Sequence, residues 1–404
     1  MKIAIVCLNL GWQTGGPRLI FSSAQALKRL GHTVKIYAPD YDPNTYPELS
    51  AGLDAQKVSV GKDVSWKYHS SNLLFRIMEK VKRERTLQAS VRKIARVMDG
   101  DFDMVNVHDY AYTLAPRVRE RNPRATVVWT MNDVPYMYMP KKNLVYDLLT
   151  RLYNWWTARR ADTAYLPHIS YGVVFREHNA QWLRAHGITP ILLWPGINCE
   201  TFYAPVRALT APQKSCVLLG VGAFNRFRRY DDIIAAAAML RKKGYDARVL
   251  LVCKDIWDAA EDKKEILRKT KELGMELYVT FLFEGASERE LARIYRESDV
   301  FVASTHIPPP RSGYSWGLAL FEAAAAGIPI VLSNRNDAQE ALPGEKGSLL
   351  FTPCEPKEIA EQVERFMTNP ALRNALCEYA QRVVKEKMNW DYYARELIAQ
   401  AKPR

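Results

Sequence analysis

CVLLGVGAFNRFRRYDDIIAAAAMLRKKGYDARVLLVC, residues 216–253, changes its hydrophobic period and then changes it back. Cys216–Val221 is a continuous apolar run, the pattern of a strand covered on both faces. Asp231–Lys243 spaces its apolar residues as a helix does, and Ala247–Cys253 is apolar again. A strand, a helix and a strand in that order predict a parallel βαβ unit. The rhythm continues downstream with helices expected at Lys263–Leu273, Glu288–Arg296 and Gly317–Ala326, and strands at Tyr278–Phe283, Val300–Ala303 and Pro329–Ser333. Upstream, Lys2–Leu8 reads as a buried strand, Arg18–Leu30 as a helix stopping at Gly31, and Thr33–Ala38 as the next strand. Asp40–Lys67 is loop-rich, and further strands are expected at Met104–Val107, Thr126–Thr130, Thr163–Leu166 and Ile191–Trp194. Val206–Lys214 lacks periodicity and contains a proline, which places the domain junction there. The expected class is α/β: two doubly wound Rossmann-like domains, 1–205 and 206–389, with ligands at the carboxyl ends of the strands.

At 404 residues the chain exceeds what one core usually serves, and 48% hydrophobic with 25% charged residues excludes a disordered, collagenous or coiled-coil protein. The longest apolar stretch, Tyr314–Ser333, is interrupted by Glu322, Gly327 and Pro329, so no membrane-spanning helix is expected. Lys2 before an apolar run would suit a signal peptide, but no small-residue cleavage site follows, and a buried first strand explains the run. The six cysteines are scattered without a C-x-x-C pair or neighbouring histidines. They read as reduced core residues of a cytoplasmic protein without structural zinc.

Net charge is +13, and residues 1–205 carry most of it, with 27 Lys/Arg against 17 Asp/Glu. The densest stretch, Arg76–Arg96, has apolar residues at helical spacing beneath a basic face. A second segment, Leu144–Arg160, mixes Tyr146, Tyr153, Trp155 and Trp156 with Arg151, Arg159 and Arg160. Each is open to three readings: a solvated helix packed on a sheet, a contact with an anionic membrane surface, or nucleic-acid binding. No recognisable nucleic-acid module accompanies the charge, so nucleic acid is not expected as a partner.

Three motifs carry chemistry. After the first strand, Asn9–Pro17 includes Gly11, Gly15 and Gly16. Such a loop lets backbone N–H groups approach an anion at a helix start, or is a plain tight turn. It lacks the G-x-G-x-x-G spacing of a dinucleotide fingerprint, although Asp40 ends the second strand where a dehydrogenase would bind ribose. At the matching place in the second half stand Gly220, Gly222, Arg226, Arg228 and Arg229. Arginines there suit a diphosphate, which each can clamp through two parallel bonds; otherwise they pair with Asp231 and Asp232. The third motif, Gly313–Glu322, puts a carboxylate inside an apolar helical run. Glu322 is satisfied either by the vicinal hydroxyls of a ribose or by a structural salt bridge.

In this order the motifs resemble the retaining glycosyltransferases of family 4, which have the GT-B fold. The glycine loop after strand one matches, as does Gly222 with a basic residue six positions on, Arg228. Ser304, Gly317-Leu318 to Glu322-Ala323, Gly327-Ile-Pro-Ile, Glu340, Gly347-Ser-Leu-Leu and Asn389-Trp390-Asp391 match too. The resemblance implies a nucleotide-sugar donor held by the second domain, an acceptor (a glycan, a lipid-linked or another small molecule) held by the first, an α-linked product, and neither metal nor cofactor. It implies diphosphate binding by Gly15, Gly16, Arg226, Arg228, Gly317 and Leu318, donor-sugar binding by Tyr314, Ser315 and Trp316, and ribose binding by Glu322. It assigns His108 and Asn132 to the catalytic side, and it implies a C-terminal helix, about 390–404, returning to the first domain. Three positions depart from the family pattern: its first motif glutamate falls at Tyr314, its arginine after the glycine falls at Ala223, and its first-domain histidine falls at Asn132. These departures keep a non-catalytic nucleotide-sugar-binding homologue and a same-fold epimerase as alternatives.

Overall fold

The structure, a computed structural model, describes residues 1–8, 10–11, 15–58, 60, 73–132, 144–255, 259–306 and 317–402. It divides into two compact units, Met1–Gly196 with Trp390–Arg404, and Ile197–Asn389.

The first unit holds seven strands: β1 (Lys2–Val6), β2 (Thr33–Ala38), β3 (Asp54–Lys57), β4 (Met104–His108), β5 (Thr126–Thr130), β6 (Tyr171–Val174) and β7 (Thr189–Leu192). Their order in the sheet is β3-β2-β1-β4-β5-β6-β7, and every pairing is parallel. Strands β4 and β5 are buried along their whole length, because helices cover both faces of a parallel sheet. The helix Trp390–Gln400 packs on the helix Gly15–Arg29 and is fixed at its start by Asp391, which accepts from Arg29 at 2.7 Å. Trp390 also sits so close to Gly196 that a Cβ there would lie 2.6 Å from the indole.

The second unit holds β8 (Ser215–Val221), β9 (Asp246–Val252), β10 (Val279–Leu282), β11 (Val300–Ala303), β12 (Ile330–Ser333) and β13 (Leu349–Phe351). Their order is β10-β9-β8-β11-β12-β13, again parallel throughout. The opening βαβ unit is present: β8 and β9 run in register from Ser215–Asp246 to Val221–Val252, joined by the helix Tyr230–Lys242.

Several expectations change. Thr163–Leu166 is not a strand. It is the last turn of the helix Leu144–Ala164 and the start of a 3-10 turn at Leu166–His168, and Thr163 donates back to the Arg159 carbonyl at 2.9 Å. The strand of that region is β6. The span Asp40–Lys67 contains the edge strand β3, whose sequence DAQK is mostly exposed and has no apolar signal. The second unit begins at Ile197, ahead of the polar stretch 206–214, because Ala204 donates to Ala325 and Leu209 to Asn374 within that unit. All six cysteines are free, but Cys354 is exposed and Cys199 only partly buried, so the core holds the other four.

Candidate functional site

In the second sheet the strand order reverses between β8 and β11, so the loops that follow them diverge and leave a crevice beyond their carboxyl ends. About 340 Å³ of open space lies there, walled by Val221 at the end of β8, Ser304 and Thr305 beyond β11, Arg228, and Gly317 with Ala319.

The loop after β8 is shaped around Arg228. Gly222 has φ +154°, and a Cβ on it would lie 2.9 Å from the Arg228 Cζ and Nε, so the guanidinium lies across a position that only glycine leaves clear. Asn225 caps the short 3-10 turn Arg226–Arg228 by accepting from the Phe227 N–H at 3.0 Å. Ser304 donates to the Arg228 carbonyl at 2.6 Å, while Arg228 Nη1 donates to the Thr305 hydroxyl at 3.3 Å. Tyr230 donates to the Gly222 carbonyl at 3.1 Å, and burial raises its phenol further above the ordinary range.

The three arginines divide. Arg229, in the left-handed region at φ 51°, donates Nε and Nη2 to Asp232 at 2.9 and 2.6 Å. Asp232 is buried, which raises its pKa, and the Arg229 hydrogen bond pulls it back down. Arg229 therefore follows the structural reading. Arg226 is exposed and stacks 5.0 Å over Phe227, and Arg228 borders the crevice. Neither makes an ion pair with a carboxylate among the described residues.

Opposite the loop, the helix Leu318–Ala325 starts at Gly317, which makes no side-chain cap and has open space beside its Cα. Gly317, Ala319 and Leu320 line the crevice, and a helix start favours an anion. Glu322 is only 1% exposed, and its Oε2 lies 3.0 Å from the Tyr295 hydroxyl, which also reaches the Ala319 carbonyl at 3.0 Å. Tyr295 was not singled out in the sequence. It sits on the helix Glu288–Glu297, and no local spacing links it to Glu322. Tyr314, Ser315 and Trp316 lie outside the described residues.

In the first sheet the order reverses between β1 and β4. Gly15 and Gly16 open the helix there, and a Cβ on either would meet nothing within 4 Å. Asp40 does not stand free for a ribose. Its Oδ1 accepts from the Leu10 N–H at 2.7 Å, a Cβ on Gly11 would meet its carbonyl at 2.6 Å, and burial raises its pKa. His108 ends β4 with 2% exposure, and burial pushes its imidazole down to about 3, so it is neutral. Its Nε2 has no hydrogen-bond partner among the described residues. Asn132, just past β5, is held by Asp109, which accepts from its N–H at 3.2 Å and its Nδ2 at 2.9 Å. Asp109, at φ 46°, also accepts the Trp129 indole N–H on its carbonyl at 2.9 Å. The structure thus puts His108 and Asn132 on adjacent strand ends, tied by an aspartate that was not singled out, although Asp tolerates this backbone region better than most residues.

A family model described as "Glycosyl transferases group 1" matches residues 206–383, and one described as "Glycosyltransferase Family 4" matches residues 14–201. The D-inositol 3-phosphate glycosyltransferase of Corynebacterium urealyticum is 28% identical over 224 residues, 53% of this chain, and the match spans about half of that relative, 51%. The human alpha-1,3/1,6-mannosyltransferase ALG2 is 22% identical over 95% of this chain and 91% of its own. Among solved structures, Anabaena HepE in complex with UDP and glucose superposes with a TM-score of 0.71 at 14% identity over 98% of both chains. The trehalose-6-phosphate synthase OtsA does so with a TM-score of 0.72 at 12% identity over 100% of both. These likenesses give the fold: two Rossmann-like domains of the GT-B type.

Proposed function

The chain belongs to glycosyltransferase family 4, and from that premise we propose that it is a retaining enzyme. It moves a sugar from a nucleoside diphosphate sugar to the hydroxyl of a glycan, lipid-linked or other small acceptor and leaves an α linkage. The observation that carries this reading is the crevice beyond β8 and β11, where Arg228 and the start of the helix Leu318–Ala325 border one space.

Arg226, Arg228 and the N–H groups at Gly317 and Leu318 take the diphosphate, and Glu322 takes the ribose hydroxyls. Tyr314, Ser315 and Trp316 take the donor sugar, and Gly15 and Gly16 offer further N–H groups to an anion. In the reaction the bond from the sugar C1 to the leaving phosphate oxygen breaks, and a bond from C1 to the acceptor oxygen forms on the same face. The acceptor's proton passes to that leaving phosphate oxygen. Charge grows on the diphosphate, where fixed cations and dipoles stabilise it without reorganising. His108, neutral and buried, does not hold the proton, and Asn132 cannot ionise, so no protein base is assigned. The reading includes no metal; EDTA is expected to leave turnover unchanged. The free thiols suit a reducing, cytoplasmic setting.

The test is product analysis with UDP-, GDP-, ADP- and dTDP-sugars, UDP-sugars first because HepE was solved with UDP and with UDP-glucose. An α-linked product that disappears in Arg228→Ala and Glu322→Ala supports the reading. Interconversion of the donor without acceptor would instead make the chain a same-fold epimerase. Tight donor binding with neither transfer nor hydrolysis would make it a binding protein.

A further inference from the structure

The helix Leu144–Ala164 is amphipathic the wrong way round for a helix packed on a sheet. Leu148, Leu152 and Trp155 are between 55% and 61% exposed, with Val145, Leu149 and Trp156 exposed beside them. Facing inward are Asp147 and Ala161, with Thr150, Asn154, Thr157 and Ala158 partly covered. A row of leucines and tryptophans this long on the outside marks a surface that some partner covers. Its C-terminal end is cationic: one turn beyond the tryptophans, Arg159 stacks over Trp155 at 5.7 Å and Arg160 over Trp156 at 5.3 Å, and both arginines are exposed.

We propose that this helix lies in the interface of an anionic lipid bilayer, with Leu148, Leu152, Trp155 and Trp156 among the acyl chains and Arg159 and Arg160 at the headgroups. Indole rings and arginine–tryptophan pairs suit that boundary, where one end is apolar and the other wet. No helix among the described residues is long and apolar enough to cross a membrane, so the contact is a surface one. Charge selects the partner. Residues 1–205 hold 27 basic against 17 acidic residues. The helix Leu73–Val97 of the same unit has eight basic against two acidic residues and exposes Phe75, Met78 and Val81 together with Lys82 and Arg85. A second copy of the chain fits less well, since it would bring the same basic excess to both sides of the contact. This inference is independent of the transfer reaction.

The test is co-sedimentation of the full chain with vesicles of phosphatidylcholine alone and of an equimolar mixture with phosphatidylglycerol, at low and high salt. Binding is expected to the mixed vesicles only, and to weaken with salt. Arg159→Ala with Arg160→Ala should lower that binding about 30-fold, roughly fivefold for each charge. Trp155→Ser with Trp156→Ser should abolish it, while Leu277→Ser, at a 90% exposed position of the other unit, should not change it. Each variant is also checked for an unchanged melting temperature and an unchanged thermal shift with donor nucleotide, which separates lost membrane contact from lost folding or a lost donor site. Equal binding to both vesicles, no binding to either, or wild-type binding by the tryptophan variant overturns the proposal. So does self-association without vesicle binding that the tryptophan variant loses, which would give the face to a second copy.

Discussion

Both sheets reverse their strand order once, between β1 and β4 in the first unit and between β8 and β11 in the second, and the two places are furnished differently. Beyond β8 and β11 stand Arg228, a glycine that lets its guanidinium lie flat, and an uncapped helix start. Beyond β1 and β4 stand Gly15 and Gly16 with open space beside them and a buried neutral histidine, while Asp40, after β2, holds the Leu10 N–H of the neighbouring loop. The second unit has fixed positive charge where its strands end, whereas the first unit keeps its larger basic excess on helices such as Leu73–Val97. Placement of charge, rather than its total, is what distinguishes the proposed diphosphate site from the proposed membrane-facing surface.

Adjacent arginines give the sharpest way to break this comparison. Arg228→Ala should raise the dissociation constant for a nucleoside diphosphate by about 10- to 150-fold, the worth of one hydrogen-bonded charge, and leave the melting temperature unchanged. Titration calorimetry with UDP and GDP checks it, and an unaltered affinity would remove Arg228 from the site. Arg229→Ala should do the reverse: about 2 kcal/mol of stability lost, with affinity per folded molecule kept. That is less than for a fully buried pair, because Arg229 remains 29% exposed while Asp232 is left without its partner. Burial already raises the Asp232 pKa, so without Arg229 the penalty falls on its charged form. The stability deficit should therefore shrink as pH falls into the carboxylate range, measurable by urea unfolding at several pH values.

A third prediction tests the histidine. The folded-state pKa of His108, about 3, lies below its ordinary value of 6.5, so stability is complete above pH 6.5 and is lost as pH falls from there towards 3. At pH 5.5 that single group should cost about 1.3 kcal/mol relative to pH 7. His108→Gln should flatten this part of the stability profile whatever it does to stability at pH 7. An unchanged slope would mean that the imidazole is charged and accessible, and would return it to the candidates for proton transfer. The smallest effect is expected from Tyr295→Phe. Loss of the hydroxyl that orients Glu322 should raise the donor KM about 3- to 10-fold, with little change in kcat, because a typical hydrogen bond contributes about 0.5–1.5 kcal/mol. A loss of stability with KM unchanged would give Tyr295 a structural role only.

What could be read from the chain, and what could not, follows physical lines. Strands β1, β2, β4, β5, β8 and β9 announce themselves as apolar runs because a central parallel strand is covered on both faces. The edge strand β3, reading DAQK, and the three-residue β13 do not. The apolar row Ala161, Ala164, Tyr165 and Leu166 imitates a strand where a helix ends. The loop after β8 and the helix holding Glu322 were legible because a glycine, a cation and a carboxylate recur at local spacings. That Arg229 belongs to Asp232 was open in the sequence, and its left-handed backbone and the Asp232 side chain decide it. The Tyr295–Glu322 contact joins two helices, and no local spacing encodes it. The helix Leu144–Ala164 shows a further limit: hydrophobic periodicity reveals that a helix has two faces, not which of them turns inward.

The return of Trp390–Gln400 to the first unit also sets an order of events on the ribosome. When Gly196 has been made, the nascent first unit still lacks the helix that covers Gly15–Arg29 and the indole that closes on Gly196. The whole of Ile197–Asn389 must be synthesised before that helix exists, an interval of about 10–40 s at ordinary elongation rates. For that time the unit with the exposed leucines and tryptophans also has an unclosed flank, so chaperone capture should concentrate on it, and a translational pause within 197–389 should lengthen the exposure.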